Sequence, residues 1–180
     1  MSKTRWLVVP VLLAGLVLLT PFIAHAQKPD FSGSWALNVD KSDDMEQKVR
    51  DGAGSTREIT KLNVQQLLTR LTHLARAARD IEIEQSEADL KIFDREDNVR
   101  IYYIDGKKHV RETPWGEKLE TLTSWSGNDL IMSTEGKDLG KFREVYTYED
   151  ETLVYVLQLE LKGFEKTVIV RHLYDREKGQ

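Results

Sequence analysis

From Asp80 to the end of the chain, apolar and polar residues alternate with a period of two, the pattern of half-buried β-strands. Short segments rich in Gly, Asp, Asn or Pro separate the alternating runs, and Asp-Gly pairs favour tight hairpins. Links this short join neighbouring antiparallel strands, because a parallel connection needs about a dozen residues or more. With an earlier strand at 31–39, the pattern predicts ten strands, at 31–39, 81–85, 88–94, 98–104, 108–113, 117–125, 128–134, 140–148, 152–161 and 166–174.

The predicted strands follow one another as a meander. Such a meander exposes two long edges unless it closes, and closure into a barrel is the usual way to remove them. The last run, "KTVIVRHLYDR", is apolar enough to pair with the first. We therefore predict a mainly β fold, an up-and-down antiparallel β-barrel of about ten strands.

The segment between the first two strands has a helical pattern instead. "KSDDMEQKVRDGAG" offers Ser42 as an N-cap and Gly52 and Gly54 as a stop, which predicts a short helix. "STRE" at 55–58 then matches a capping box. The apolar residues that follow recur at steps of three and four and form one stripe, made of Val64, Leu67, Leu68, Leu71, Leu74, Ala75 and Ala78. The sequence thus predicts a two-helix insertion between strands 1 and 2.

The beginning of the chain has the composition of a secretory signal peptide. Lys3 and Arg5 precede a long uncharged apolar run, and "AHA" at 24–26 gives the small-x-small pattern of a cleavage site. The alternative is an uncleaved anchor, since the run approaches the ~20 residues that span a bilayer. We expect a signal peptide at 1–26, one β-barrel domain at 27–180, and a periplasmic or secreted product.

Charge and cysteine content narrow the class of protein further. The formal net charge is −4, and there is no cysteine. An acidic chain is a poor general nucleic-acid binder, because such binding depends on neutralising phosphates. An exported protein without disulfides depends on packing for its stability, which fits a bacterial periplasm better than a disulfide-rich extracellular scaffold.

The opening of the barrel segment resembles a known superfamily. "FSGSWAL" at 31–37 resembles the Gly-x-Trp first strand of lipocalins and fatty-acid-binding proteins, and the order strand, two helices, nine strands resembles the fatty-acid-binding branch most. The chain from 28 to 176 also resembles secreted bacterial lipocalin-like proteins, through "PDFSGSWALNVDKSD", "YYIDGKKHVRETPWG" and "RHLYDR". Proteins of this kind are mostly without assigned ligands, so the resemblance implies a fold rather than a ligand.

The resemblance also implies how one end of the barrel is closed. In the superfamily, the tryptophan that matches Trp35 plugs this end, and a basic residue late in the last strand packs over it; Arg171 is the matching candidate. Gly33 would then permit close approach. The alternative is that Arg171 holds a ligand carboxylate, as a last-strand Arg-x-Tyr pair does in fatty-acid binders. Here the spacing is Arg171-x-x-Tyr174, which places the two side chains on opposite faces of a strand.

The later strands supply the side chains of a candidate cavity. Their alternating faces combine large apolar residues with a few polar ones, among them Glu144, Thr121 and Thr123. Such a lining is found both in ligand cavities and in small barrels filled by side chains. A cavity of about 300 Å³ or more would favour binding. The candidate ligand-binding residues are Trp125, Phe142, Tyr146, Tyr155, Leu157 and Arg171.

The helical insertion is unusually basic for an acidic chain. Residues 56–79 contain five basic side chains against Glu58 alone. A basic amphipathic helix can lie on an anionic membrane, where each basic residue contributes roughly 1 kcal/mol. The alternative is a helix that caps the barrel while its arginines are solvated. The candidate membrane or partner surface consists of Arg70, Arg76 and Arg79.

Evidence for catalysis is weak. The histidines after the leader, His73, His109 and His172, lie on different predicted elements, without the spacing of a metal or catalytic motif. His73 and His109 are expected to be solvated, and His172 lies in an apolar strand. The acidic residues at 40–44 lack the alternating ligands of a calcium loop.

We therefore expect a non-enzymatic protein with no cofactor, no metal and no nucleic-acid partner. The first hypothesis is an exported barrel that binds a small apolar or amphipathic ligand. The alternative is a filled barrel that acts through its surface, for example through helix 56–79 on a membrane or a partner.

Overall fold

The computed structural model describes residues 28–53, 64–74, 79–95, 98–162, 164 and 166–177. The predicted signal peptide, the capping box at 55–58 and residues 75–78, which include Arg76, lie outside these residues. All ten predicted strands are present: β1 (Gly33–Leu37), β2 (Asp80–Gln85), β3 (Asp89–Asp94), β4 (Val99–Tyr103), β5 (Lys108–Glu112), β6 (Lys118–Ser126), β7 (Asp129–Gly136), β8 (Gly140–Glu149), β9 (Thr152–Leu161) and β10 (Val168–Arg176).

The strands form one antiparallel sheet in the order β4-β3-β2-β1-β10-β9-β8-β7-β6-β5. β1 pairs with β10, as predicted, and this contact joins the two halves of the chain. The order begins at β4 and ends at β5, so in the described sheet these consecutive strands form no ladder with each other. The fold is therefore an up-and-down barrel that is closed except at a gap between β4 and β5.

The gap corrects the expectation that every short link makes a hairpin. A regular two-residue hairpin about Asp105-Gly106 would place Arg100 directly opposite Arg111. Both side chains point to the inner face of the barrel, because each arginine lies between exposed residues of its own strand. Like charges directly opposite each other destabilise a strand pair. Repulsion between these two guanidinium groups would disfavour such a hairpin.

The predicted two-helix insertion follows β1. A short 3₁₀ turn (Val39–Lys41) leads to α1 (Met45–Ala53), and α2 (Val64–Leu74) precedes β2. The N-cap of α1 is Asp44, whose Oδ1 accepts a hydrogen bond from the Gln47 N–H at 3.0 Å. Ser42, the predicted cap, instead accepts from the Leu173 N–H at 3.0 Å. The prediction was wrong because β10 engages the serine hydroxyl.

The two helices pack against the barrel through small and apolar residues. Gly52 lies inside α1 rather than after it, and a Cβ there would come within 2.3 Å of a Val168 methyl carbon. The predicted stripe of α2 is confirmed where it is described, because Leu67, Leu68 and Leu71 are buried. Burial of each such leucine contributes about 1.5–3 kcal/mol. Among the described residues, no helix is long and apolar enough to span a membrane.

Candidate functional site

Trp35 of the Gly-x-Trp motif lies in the barrel interior, on the strand that pairs with β2 and β10. Its side chain is fully buried, and the indole N–H donates to the Phe31 carbonyl at 2.9 Å. The Arg176 guanidinium lies 5.3 Å from the indole centroid and donates to the Ser32 carbonyl at 2.7 Å. Gly33 has φ +134°, and a Cβ there would be 3.1 Å from Arg176 Nη2. Gly33, Trp35 and Arg176 thus pack together, and their role in closing one end of the barrel stays a prediction.

The predicted role of Arg171 is wrong on both counts. The register of β1 and β10 places Trp35 opposite Arg176, five residues beyond Arg171. The Arg171 side chain is half exposed on the outer face, with Nη2 3.6 Å from Glu149 Oε2. Tyr174 is buried on the other face, so the two residues point in opposite directions, as their spacing predicted. Arg171 therefore cannot contact a ligand inside the barrel.

The other candidate ligand-binding residues do point inward. Phe142, Tyr146, Tyr155 and Leu157 are buried on the inner faces of β8 and β9. The rings of Tyr146 and Tyr155 are 5.0 Å apart. Trp125 is partly buried and stacks on Phe31 at 5.8 Å. The structure thus brings these side chains into one interior, and their contact with a ligand stays a prediction.

A polar cluster lies in the middle of this interior. Glu144 is fully buried and accepts hydrogen bonds from Tyr102 at 2.9 Å, Tyr155 at 3.0 Å and Arg100 at 3.3 Å. Burial and the neighbouring carboxylate raise the pKa of the Tyr155 phenol well above its usual range, so it remains a donor. A buried charge is tolerated when it is paired and hydrogen-bonded in this way. We name Arg100, Tyr102, Glu144 and Tyr155 the Glu144 cluster.

Sequence reasoning missed the β4 members of this cluster. Alternation along "VRIYY" places Arg100 and Tyr102 on one face, and a buried Glu144 on an apolar face needs a cation from another strand. These two signals together could have suggested the Arg100–Glu144 pair. The partners are 44 positions apart, so only the barrel brings them together.

A cavity of about 160 Å³ lies beside the β4–β5 gap. Its inner wall is formed by Arg100 and Tyr102 of β4, Arg111 of β5, and Thr121 and Thr123 of β6. The volume does not reach the size of about 300 Å³ that was expected to favour binding, and it is close to the ~150 Å³ that holds benzene in an engineered core. The cavity is thus large enough for a small organic molecule.

The rim of the cavity is apolar and faces solvent. Val99, Ile101 and Tyr103 of β4 are each 46–47% exposed, and Val110 of β5 is 61% exposed. On the inner side, Nη2 of Arg111 is buried and has no hydrogen-bond partner among the residues that the structure describes. An unsatisfied buried donor costs about 1–3 kcal/mol, and more when it is charged. The cavity therefore combines an apolar mouth with an inner wall in which one arginine donor, Nη2 of Arg111, is unsatisfied.

A larger groove, of about 410 Å³, lies on the outer face of the barrel. Its exposed residues carry both signs of charge, and Lys108 pairs with Glu120 at 2.9 Å across it. Since it is open to solvent and its charges are compensated, it is a weaker candidate than the cavity beside the gap.

The three histidines that the structure describes differ in how far they are buried. His73 is exposed, as predicted, with its ring edge-on to Trp115. His109 is partly exposed at the rim of the cavity, with Nε2 3.0 Å from Asp105 Oδ1 and its ring tilted by 33° to the Tyr103 ring, whose centroid is 4.5 Å away. His172 is buried on the inner face of β10, and burial lowers the pKa of its imidazole, which Asp43 raises in part. Among the described residues, no group of His, Asp or Glu side chains is arranged to hold a metal ion.

The basic helix is only partly described. The Arg70 guanidinium lies 5.2 Å from the Trp115 ring centroid, so this cation packs against the barrel rim. Arg79 is exposed just before β2, and Arg76 is outside the described residues. The arrangement of Arg70 agrees with the helix acting as a cap, and membrane contact stays a prediction.

The nearly closed barrel with two helices after its first strand is the fold of fatty-acid-binding and related barrels. Solved structures with this fold include the REP1-NXSQ fatty acid transporter, at 18% identity over 83% of this chain and 97% of that chain, with a TM-score of 0.53. Apo lipid binding protein 8 of Caenorhabditis elegans is similar at 18% identity over 82% and 95% of the two chains, with a TM-score of 0.54. A variant of the fluorescent protein UnaG is similar at 16% identity over 83% and 97%, also with a TM-score of 0.54.

No protein-family model matches the chain, and no curated protein sequence matches it. The likeness to solved structures supports the barrel fold that the Gly-x-Trp resemblance implied, and it concerns the fold alone.

Proposed function

We propose that this protein binds a small amphipathic molecule in the barrel without changing it chemically. The observation that carries the proposal is the cavity of about 160 Å³ beside the β4–β5 gap, which is polar inside and apolar at its mouth. Pockets that join apolar walls to a few placed polar groups are typical small-molecule sites. Two of the similar structures are a fatty acid transporter and a lipid binding protein, which agrees with this class of function.

The state of Glu144 supports binding rather than catalysis. A general acid or base needs a carboxyl group within reach of the reacting atom. The carboxylate of Glu144 is held by three donors from Arg100, Tyr102 and Tyr155 instead. Glu144 therefore holds Arg100 and Tyr102, which line the cavity, in place by hydrogen bonds.

We also propose that the protein acts outside the cytoplasm. The support is the basic start, the apolar run and the "AHA" at 24–26, which together resemble a cleavable signal. N-terminal sequencing of the product after expression with export would find Gln27 first. Retention of Lys3 and Arg5 would contradict this part of the proposal.

The binding experiment uses the full chain, expressed with export and purified without detergent. Native mass spectrometry is followed by ligand-observed NMR with hexanol, hexanamide and hexanoate. We expect at least one of the three to bind with a stoichiometry of about one.

A pair of matched variants tests whether binding is in the cavity. Thr123→Leu fills the cavity from its inner wall, and Ser124→Leu adds the same side chain on the exposed face of the same strand. We expect the first to weaken binding at least tenfold and the second to leave it unchanged. Absence of binding of all three probes to the wild-type protein would overturn the proposal.

A further inference from the structure

The gap between β4 and β5 leaves two strand edges without a partner strand. β4 pairs with β3, β5 pairs with β6, and in the described sheet neither strand has a ladder on its other side. An unpaired edge presents a row of backbone N–H and C=O groups that can pair with another extended chain. The gap is therefore a place where a further strand can be added to the sheet.

The exposed apolar side chains of the barrel are concentrated at these two edges. Among the described residues, four of the seven exposed large apolar side chains lie on β4 and β5, and they are Val99, Ile101, Tyr103 and Val110. Valine, isoleucine and tyrosine are residue types that favour strands. A strand added in the gap would cover side chains that otherwise face water.

The two edges differ in how they are protected. On the outer face of β5, Lys108 and Glu112 flank Val110, and charged side chains are a common protection of an exposed edge. The outer face of β4 carries no charged residue and no proline, because its outward positions hold the three apolar side chains. β4 is therefore the edge that is open to pairing.

The inner side of the gap has room for the side chains of such a strand. The cavity of about 160 Å³ lies there, and Arg100 and Arg111 are both part of its wall. Successive side chains of a strand point to opposite faces, so an added strand would alternate between the apolar outer surface and this cavity. An acidic inward side chain would meet charges of opposite sign, whereas a basic one would meet like charges.

An isolated extended segment fits the gap, and a second copy of the barrel does not. β5 follows β4 after the short link 104–107, so it lies on the side of β4 where the new strand must go. A second copy would bring its β3 together with its β4, and the additional strand would collide with β5. A peptide brings a single strand.

We propose that the β4 edge is a docking site for an extended segment of a partner protein, which adds to β4 as an antiparallel strand. Its outward side chains are apolar and pack beside Val99, Ile101 and Tyr103, and an inward side chain is acidic. Main-chain hydrogen bonds provide affinity in this mode of recognition, and alternate side chains provide specificity. The proposal goes beyond the proposed function, because the partner is a polypeptide that is recognised through its backbone.

The test uses the full chain and synthetic peptides with blocked ends. The parent peptide is "TVEVTVT", in which three valines alternate with threonine and one glutamate. Two control peptides have the same side chains and are N-methylated on every second residue, one in each frame. We expect the parent to shift the backbone amide signals of β4 in NMR spectra and to slow their hydrogen exchange at least tenfold, and at least one N-methylated peptide to bind tenfold more weakly.

A charge control and two variants locate the site. The peptide "TVKVTVT" places a lysine at the glutamate position and is expected to bind at least tenfold more weakly than the parent. Ile101→Lys places a charge on the outer face of β4 and should weaken binding of the parent at least fivefold. Ile169→Lys changes an isoleucine of similar exposure on β10, which is paired on both sides, and should leave binding unchanged.

Several results would overturn the proposal while binding of a small molecule in the barrel stands. They are equal binding of the parent and both N-methylated peptides, equal binding of the glutamate and lysine peptides, and equal effects of the two variants. A parent peptide that shifts no β4 signal has the same meaning. So does a dimer in analytical ultracentrifugation that dissociates in Ile101→Lys, because a second copy would then cover the edge. Failure of the proposed function is recognised separately, by the absence of binding of hexanol, hexanamide and hexanoate.

Discussion

The Arg176 guanidinium lies 5.3 Å from the centroid of the Trp35 indole, directly across the pairing of β1 with β10. The contact joins the first strand to the last. It also holds the backbone around Gly33, because Arg176 donates to the Ser32 carbonyl. The Arg176–Trp35 contact and the pairing of β1 with β10 therefore hold this part of the barrel together. Substitution of either side chain measures how much the contact contributes.

Arg176→Ala is expected to lower the free energy of unfolding by about 0.5–2 kcal/mol, through loss of the cation–π contact and its hydrogen bond. Arg171→Ala removes an exposed ion pair of the same strand and should cost less than about 0.5 kcal/mol. Urea denaturation followed by tryptophan fluorescence measures both. Equal losses in the two variants would contradict the assignment of Arg176 to barrel closure.

Gly52→Ala is expected to destabilise the protein, although alanine is the better helix former. The new methyl group would lie 2.3 Å from a Val168 side-chain carbon, so α1 must move away from β10. The substitution should therefore cost about 1–3 kcal/mol by overpacking. In the background of Val168→Ala the same change should be nearly neutral or stabilising, and additive effects in the double variant would argue against the clash.

Glu144→Ala is expected to be among the most destabilising single substitutions, at about 3–5 kcal/mol. It leaves Arg100 buried without its carboxylate and removes the acceptor of Tyr102 and Tyr155. Chemical denaturation measures the loss. Combining it with Arg100→Met removes the stranded charge and should recover part of the stability. No recovery would mean that the pair is not coupled.

His172 makes stability depend on pH in a particular window. Burial lowers the pKa of its imidazole below the ordinary value of 6.5, so in acid the unfolded chain takes up the proton first. The contribution is fully present above pH 6.5 and is lost as the pH falls through the lowered pKa. We expect the denaturation midpoint to decline below pH 6.5 in the wild type, and the decline to be smaller in His172→Gln.

The control for this pH effect is His73→Gln, which changes an exposed imidazole on α2. It should keep the slope of the wild type. Because Asp43 faces His172, the comparison is made above pH 5, where that carboxylate, whose pKa is lowered despite its partial burial, stays ionised. A slope that survives in His172→Gln would assign the pH dependence to another group.

Much of the fold could be read along the chain because it depends on short-range signals. The alternation in "DIEIEQ" and the glycine-containing turns predicted all ten strands within a few residues. The stripe of α2 was confirmed at Leu67, Leu68 and Leu71 for the same reason. Helix α1 was less well predicted, since its cap depended on which of two nearby polar residues β10 engages.

The sequence by itself thus determined the strands and the two-helix insertion, because periodicity and turn chemistry act between neighbours, whereas the role of Trp35 was implied by the resemblance of its Gly-x-Trp motif. Only the tertiary structure decided that Arg176 rather than Arg171 covers the indole, since the register of β1 with β10 is a relation between distant residues. It also decided that β4 and β5 stay apart, that Arg100 pairs with Glu144, and that Arg111 is left with an unsatisfied donor. These are relations between residues of different strands, and the pattern within a single strand does not determine them.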